Sequence, residues 1–212
     1  MDILVIIIIG ITCFISYKGF GDRLLFEKYK FNVEAIAKRK EYIRLISSGF
    51  LHADWMHLFF NMLSLYFFQG IVITAFGKIG FLLIYFVSMI LGGVFSLLIY
   101  KKQPWYSAIG ASGAVSGIIF SAISIAPNEI SVNFLPGWLF GAVYFGYSVY
   151  MMLNPKQWDN LGHAAHLGGA FFGLVYAVAI YPKVAMSNAF YLGMMSLPLI
   201  YLVYHIFVRK KL

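Results

Sequence analysis

Apolar stretches of close to 20 residues recur along the whole of this chain, and nothing else about it limits its fold so strongly. A helix of about 20 residues crosses the roughly 30 Å hydrocarbon core of a bilayer. Inside that core only helices and closed barrels satisfy every backbone N–H and C=O. Charged residues make up 11% of the 212 positions, against about 25% in soluble domains, and the mean hydropathy is +0.82. The chain therefore reads as an all-α polytopic membrane protein with no room for a separate soluble domain. Its formal net charge of +8 suits anionic lipid headgroups rather than nucleic acid. A single cysteine, Cys13, excludes an intramolecular disulfide and a cysteine-based metal cluster. Residues 1–9 lack a basic flank and a small-residue cleavage site, which predicts a retained helix rather than a removed signal.

Seven spans are predicted. The first covers residues 2–17, the second 57–76 and the third 81–100, with a tight turn at 77–80 between the last two. The fourth runs from Ser112 toward Pro127, the fifth over 136–153, the sixth from 162 to just before Pro182, and the seventh over 188–208 ahead of a basic tail. Segment 18–56 interleaves its charges with Phe20, Leu24, Phe26, Tyr29, Phe31 and Ile36, which fits an amphipathic element lying in the membrane interface. Polar stretch 154–160 carries Trp158 at interface depth. The fourth span has about 15 residues, too few to reach both surfaces. One end must lie beneath a surface, where such a helix start is tolerated beside a cavity.

That sunken start is Tyr106-Ser-Ala-Ile-Gly-Ala-Ser-Gly-Ala-Val-Ser-Gly117. Ser112 stands where a glycine-rich turn enters the helix. A helix start leaves N–H groups unpaired and carries a partial positive charge, so a serine there has donors beside it for a developing oxyanion. Gly110 permits the tight turn. Gly113 and Gly117, four apart, offer a small face to another helix. Read alone, the stretch favours a packing seam with a serine that merely caps the helix.

The histidines change that reading. An imidazole is expensive inside a bilayer, and four of the five fall in two clusters. His57 and Asn61 share one face at the start of the second span. His163 and His166 open the sixth, followed by Gly169 and Gly173, a small pair able to seat on Gly113 and Gly117. That seating brings His166 to Ser112, whose hydroxyl becomes a nucleophile only when an adjacent base takes its proton. His57 and Asn61 are then placed to donate to the oxyanion. His52 and Asp54 read as part of the interfacial segment, His163 as an interfacial residue about a turn further out, and His205 as a packed or snorkelling residue. No His-Glu-x-x-His arrangement or nearby carboxylate supports a metal, and no cofactor is expected.

His57-x-x-x-Asn61, Gly110-Ala-Ser-Gly113 and Ala165-His166-x-x-Gly169-x-x-x-Gly173, in that order at helix starts, resemble the rhomboid family of intramembrane serine proteases. The resemblance covers the second to sixth spans and the long first loop. It implies a six-helix core over 1–182, with 183–212 an added C-terminal span and tail. It further implies that Ser112 is the nucleophile and His166 its general base, a dyad without a carboxylate, acting on single-span transmembrane proteins in the bilayer. The Ser112 N–H, His57 and Asn61 match oxyanion-binding positions, and Arg44 matches an arginine that holds the first loop in shape. Stretch 154–160 corresponds to a mobile cap and the fifth span to a lateral gate. A bacterial inner membrane is implied, with the active site toward the outer face. The charge pattern conflicts: Lys18, Arg23, Lys28, Lys30, Lys38, Arg39, Lys40 and Arg44, half of the 16 Lys and Arg, lie in the first loop, and the positive-inside rule alone would turn the protein over.

Three positions depart from the family pattern. Ile43 replaces a tryptophan and Ile73 an acidic residue. Ser116 stands where an aromatic ring often supports the catalytic histidine, so the orientation of His166 must rest on other packing. Two rival functions stay in view: a non-catalytic rhomboid-like protein that binds membrane helices, and a transporter, against which the absence of a repeat and of midplane charges argues. Oligomeric state and natural substrate are left open. Because neither a metal cluster nor a phosphate loop is visible, peptide-bond cleavage is expected to survive exhaustive chelation; loss that added zinc restores would overturn that expectation.

Overall fold

The structure, a computed structural model, describes residues 1–132, 134–154 and 162–208. The predicted cap at 154–160 lies outside the described residues except for Asn154, as does the tail after 208. Four described helices are long and apolar enough to cross a membrane: α1 (Ile3–Gly21), α5 (Trp55–Ile99), α8 (His163–Ile180) and, over Ala189–Ile206, α10 (Ala189–Phe207). Two shorter apolar helices, α6 (Ser112–Ile125) and α7 (Gly137–Leu153), complete the bundle, and α9 (Pro182–Ser187) links α8 to α10.

Helix α5 is 45 residues long, about 68 Å at 1.5 Å per residue and too long for one crossing. It breaks at Gly77, where φ is 71° and ψ 175°, a conformation open to glycine and costly for other residues. The chain reverses there. His57 and Gly92 both lie beside the starts of α6 and α8, whereas Ala75 and Phe76 meet Tyr181 and Tyr176 at the far end of α8. The expected turn over 77–80 is therefore compressed to one residue, with Lys78 paired at 2.9 Å to Asp2, the N-cap of α1.

Helix α6 occupies the centre, enclosed by the two arms of α5 and by α8, and is buried over most of its length. Glycine makes that enclosure possible. A Cβ on Gly169 would lie 2.0 Å from the Gly113 carbonyl oxygen, and one on Gly173 2.1 Å from that of Gly117. On the other flank, a Cβ on Gly117 would lie 1.9 Å from Ser88 Oγ and one on Gly92 2.5 Å from the Ala165 carbonyl oxygen. Lipid tails are as apolar as leucine, so this close backbone packing is a main source of cohesion between the helices. Helix α10 follows α8 in sequence but packs along α7, with Gly141 seated on Met195.

The first loop differs from the single amphipathic element expected of it. Its first residues, 18–21, extend α1, and the rest folds as α2 (Arg23–Tyr29), α3 (Val33–Ala37), α4 (Arg44–Ser47) and a 3-10 turn, Ser48–Phe50. Strand β1 (Phe31–Asn32) pairs antiparallel with β2 (Ser107–Ala108), in register Phe31 to Ala108. That ladder and three apolar residues, Phe31, Val33 and Ile36, fasten the loop to the approach of α6. Four of the eight basic residues of the loop, Lys30, Lys38, Arg39 and Arg44, are in local ion pairs, such as Lys38 with Glu34 at 3.1 Å. A second short hairpin, β3 (Ser131–Val132) with β4 (Leu135–Pro136), leads into α7.

Replacing Gly173 with alanine is expected to destabilise the fold by about 1–3 kcal/mol, since two backbones must separate to admit one methyl. Gly10→Ala, where a Cβ meets nothing within 4 Å, should leave thermal unfolding in detergent unchanged or slightly raised.

Candidate active site

The 14 residues of α6 span about 21 Å, against roughly 30 Å of hydrocarbon, so the helix cannot reach both membrane surfaces, and the residue that opens it is decisive. That residue is Ser112. Gly110, with φ at 113°, turns the chain into the helix, and its N–H donates to the Ser48 carbonyl at 3.0 Å. The turn is thereby pinned to the first loop. Opposite stands His166, on the first turn of α8, brought across by the Gly113–Gly169 contact. Its Nε2 lies 2.6 Å from Ser112 Oγ.

His57 reaches the same turn from α5. A Cβ built on Gly110 would lie 2.7 Å from His57 Cε1 and Nε2 and 3.7 Å from Ser112 Oγ, so the imidazole edge and the serine hydroxyl flank one point. The Ala53 N–H approaches His57 Nδ1 at 3.5 Å, which favours the tautomer with hydrogen on Nε2, the atom facing the turn. Asp54, predicted to be merely interfacial, caps α5 by accepting the His57 N–H at 2.8 Å. Asn61 is buried and follows His57 on the same face, but one hydrogen of its amide donates to the His57 carbonyl at 2.9 Å. A small cavity, about 40 Å³, adjoins Ser112 and is walled by Ser48, Gly49, Gly110, Gly113, Gly162 and Ala165. Arg44 lies 5% exposed beneath the first loop, donating through Nη1 to the carbonyls of Glu27 at 2.9 Å and Lys30 at 2.7 Å, and pairing with Glu41 at 2.5 Å. Arg39 and Arg44 hold the Glu41 carboxyl below its ordinary pKa.

Two histidines make buried contacts that the sequence did not reveal. His52, expected in the interfacial segment, is fully buried behind the Ser112 turn. Ser16 Oγ donates to the Phe50 carbonyl at 2.9 Å and lies 2.9 Å from His52 Nδ1, while His52 Nε2 accepts the Ala111 N–H at 3.3 Å. Only a neutral ring with hydrogen on Nδ1 satisfies all three contacts. Burial pushes its pKa down to about 3, with the neighbouring His57 adding to the shift. His163, expected at the interface, is 4% exposed and packs edge-on to Tyr147 and His166 at centroid distances of 5.5 and 6.1 Å. His205 is packed, as one of its two readings had it, against Tyr201.

Sequence reasoning also missed Tyr144. Its ring lies 6.1 Å from that of His166 at 27°, and its hydroxyl meets Ser116 Oγ at 2.8 Å. The serine at the family's aromatic position thus holds a ring supplied by another helix. The signal was present in principle, since a buried Tyr hydroxyl needs a partner and Ser116 had none assigned. No rule of spacing within one helix, however, links positions on α6 and α7.

A serine hydroxyl bonded to an imidazole, at a helix start inside a bundle of apolar helices, defines a multi-pass integral membrane protein with a serine–histidine pair in its interior. The Rhomboid domain matches residues 39–183, more than half of the chain, and the protein belongs to the rhomboid family. It is 30% identical over 173 residues to Rhomboid protein 1, mitochondrial, of Saccharomyces cerevisiae, covering 76% of this chain and 50% of that one. It is 27% identical over 137 residues to the human Presenilin-associated rhomboid-like protein, mitochondrial, covering 62% and 36%. Inactive RHOMBOID-like protein 8 of Arabidopsis thaliana is 31% identical over 120 residues, covering 50% and 34%. The chain thus spans half or less of the length of these relatives. The first two carry mitochondrial names and lend no support to a bacterial inner membrane.

His52 generates a prediction about acid stability. A histidine whose folded-state pKa lies below its unfolded value near 6.5 stabilises the fold fully above pH 6.5, and that contribution is lost as pH falls from 6.5 toward 3. Thermal unfolding in detergent should therefore shift downward between pH 7.5 and 5. His52→Gln, which cannot protonate, should flatten that pH dependence; parallel curves for the two proteins would acquit His52.

Proposed function

We propose that this protein is an intramembrane serine endopeptidase, and the observation that carries the reading is the 2.6 Å contact between Ser112 Oγ and His166 Nε2 at a helix start. In this reading Ser112 Oγ attacks the scissile carbonyl carbon while His166 Nε2 takes the hydroxyl proton. The carbonyl oxygen becomes an oxyanion, received by the Ser112 N–H and His57 Nε2–H, with the second Asn61 amide hydrogen available to join them. Collapse expels the amine, which collects the proton from His166, and leaves an acyl ester on Ser112. Water, deprotonated by the same nitrogen, then releases the new carboxylate and regenerates the hydroxyl.

The rest of the proposal concerns the substrate and its path. Seven crossings are assigned, six in a core over 1–182 and one in 183–212. Substrates are single-span membrane proteins, which enter from the bilayer past α7, the lateral gate. A regular helix keeps each carbonyl paired, so cleavage needs a locally unwound segment. Gly costs about 1 and Pro about 3 kcal/mol relative to Ala in a helix, and such residues a short way into the span should assist. The cavity beside Ser112, walled largely by glycine, alanine and serine, supports cutting after a small residue. The site opens on the membrane face that carries the first loop, since Ser48 and β1 are bonded to the residues just before Ser112. The relative named as inactive favours a second reading, a protein that binds membrane helices without cutting them. Retention of both dyad side chains in bonding contact supports catalysis over that alternative.

Ser112→Ala and His166→Ala should each abolish cleavage of a model transmembrane substrate without unfolding the protein. The double variant should lose little more than either single one, because the pair acts as a unit. A fluorophosphonate probe should label the native protein at Ser112 and neither single variant. Failure of the native protein to label or cleave would establish the non-catalytic reading.

A further inference from the structure

Each member of the Ser112–His166 pair is carried by its own helix, α6 or α8, yet the ring lying against His166 comes from a third. Tyr144, on α7, stacks on the imidazole at a centroid distance of 6.1 Å and an interplanar angle of 27°, within the offset-stacked range for aromatic pairs. Its position is fixed at three further points. The hydroxyl is bonded to Ser116 of α6 at 2.8 Å, and the ring lies 5.4 Å from Phe120 and 5.8 Å from Phe140. Ser116 is 4% exposed and one turn along α6 from Ser112, so the tether starts on the nucleophile's own helix. Helix α7 is otherwise fastened mainly to α10, through Gly141 on Met195 and Trp138 on Tyr191, and only lightly to α6 and α8.

We infer that Tyr144 is a positioning residue for His166, locked by the Ser116 hydroxyl, so that the base is set only while α7 is seated against α6. The inference rests on the peptidase reading above. Were the Ser116–Tyr144 bond only a way of pairing two hydroxyls in an apolar interior, an apolar side chain filling the same space would serve equally well. The geometry points to more than volume, because the ring plane is aligned within 27° of the imidazole at a centroid distance of 6.1 Å, an orientation that an apolar chain does not supply. Moving α7 outward by a few ångströms would withdraw this ring from the imidazole that faces Ser112. Tyr144 couples the position of α7 to the base directly, whereas Tyr147 reaches it only by way of His163.

The test compares two ways of refilling the same space. Tyr144→Leu should lower kcat for a transmembrane substrate about tenfold with KM unchanged, the rate equivalent of one lost stacking contact. Adding Ser116→Tyr to that variant returns a ring from α6 and should restore most of kcat. Adding Ser116→Met returns volume without a ring and should not, although both double variants should unfold near the native temperature. The rate of fluorophosphonate labelling at Ser112 should follow kcat across the series. Equal rescue by Met and Tyr, or a Tyr144→Leu variant within twofold of native kcat, would overturn the positioning role while leaving the peptidase reading intact. A native protein inert to both probe and substrate would overturn the peptidase reading and this inference with it.

Discussion

The structure depends on two backbones touching. Between Gly113 and Gly169, and again between Gly117 and Gly173, there is no room for even a methyl group. Helices in lipid gain little from hiding apolar side chains from one another, so approach distance sets both cohesion and register. Here it also sets chemistry. Ser112 immediately precedes Gly113, and His166 lies three residues before Gly169, so the contact that joins α6 to α8 brings oxygen and nitrogen to bonding distance. A larger residue at Gly169 would push apart the pair of atoms on which the proposed reaction turns.

Around that contact the remaining parts act as a frame for one turn of chain. Gly110 is tied to Ser48 in the first loop, Ala111 to His52 and through it to Ser16 of α1, and the imidazole of His57 lies against Gly110. Three sequence-distant elements therefore converge on the residues just before Ser112. An oxyanion site needs donors that do not reorganise during reaction. A turn held from several sides meets that need better than a free helix start. Arg44 extends the same logic outward, since its guanidinium closes the first loop by reaching the carbonyls of Glu27 and Lys30.

Much of this was legible in the residues themselves. Glycines spaced by four on two apolar stretches, each beginning with a polar side chain, carried both the packing and the Ser112–His166 juxtaposition. Local periodicity also supplied most helix limits. What escaped depended on contacts between elements far apart in sequence. His52 looks interfacial because its neighbours Ala53 and Asp54 are exposed, while its ring is buried by Ser16 and Ala111, which no local pattern connects to it. His163 is buried by Tyr147, and His166 is stacked by Tyr144, both from α7. The turn at Gly77 was overestimated in length because Lys78 reads as polar punctuation, whereas its ammonium is taken up by Asp2.

The pairing of α10 with α7 has a consequence for how the protein is made. During synthesis α7 leaves the ribosome first, and 54 further residues must be added after its last residue, Leu153, to complete α10 at Phe207. At about 5–20 residues per second, several seconds pass before its partner is complete. Over that interval the Gly141 face of α7 has Phe120 of α6 beside it but not yet Met195 of α10. A newborn core can contain α6 and α8 already joined while the helix bearing Tyr144 still lacks its main neighbour. Synthesis of α10 then supplies α7 with that neighbour.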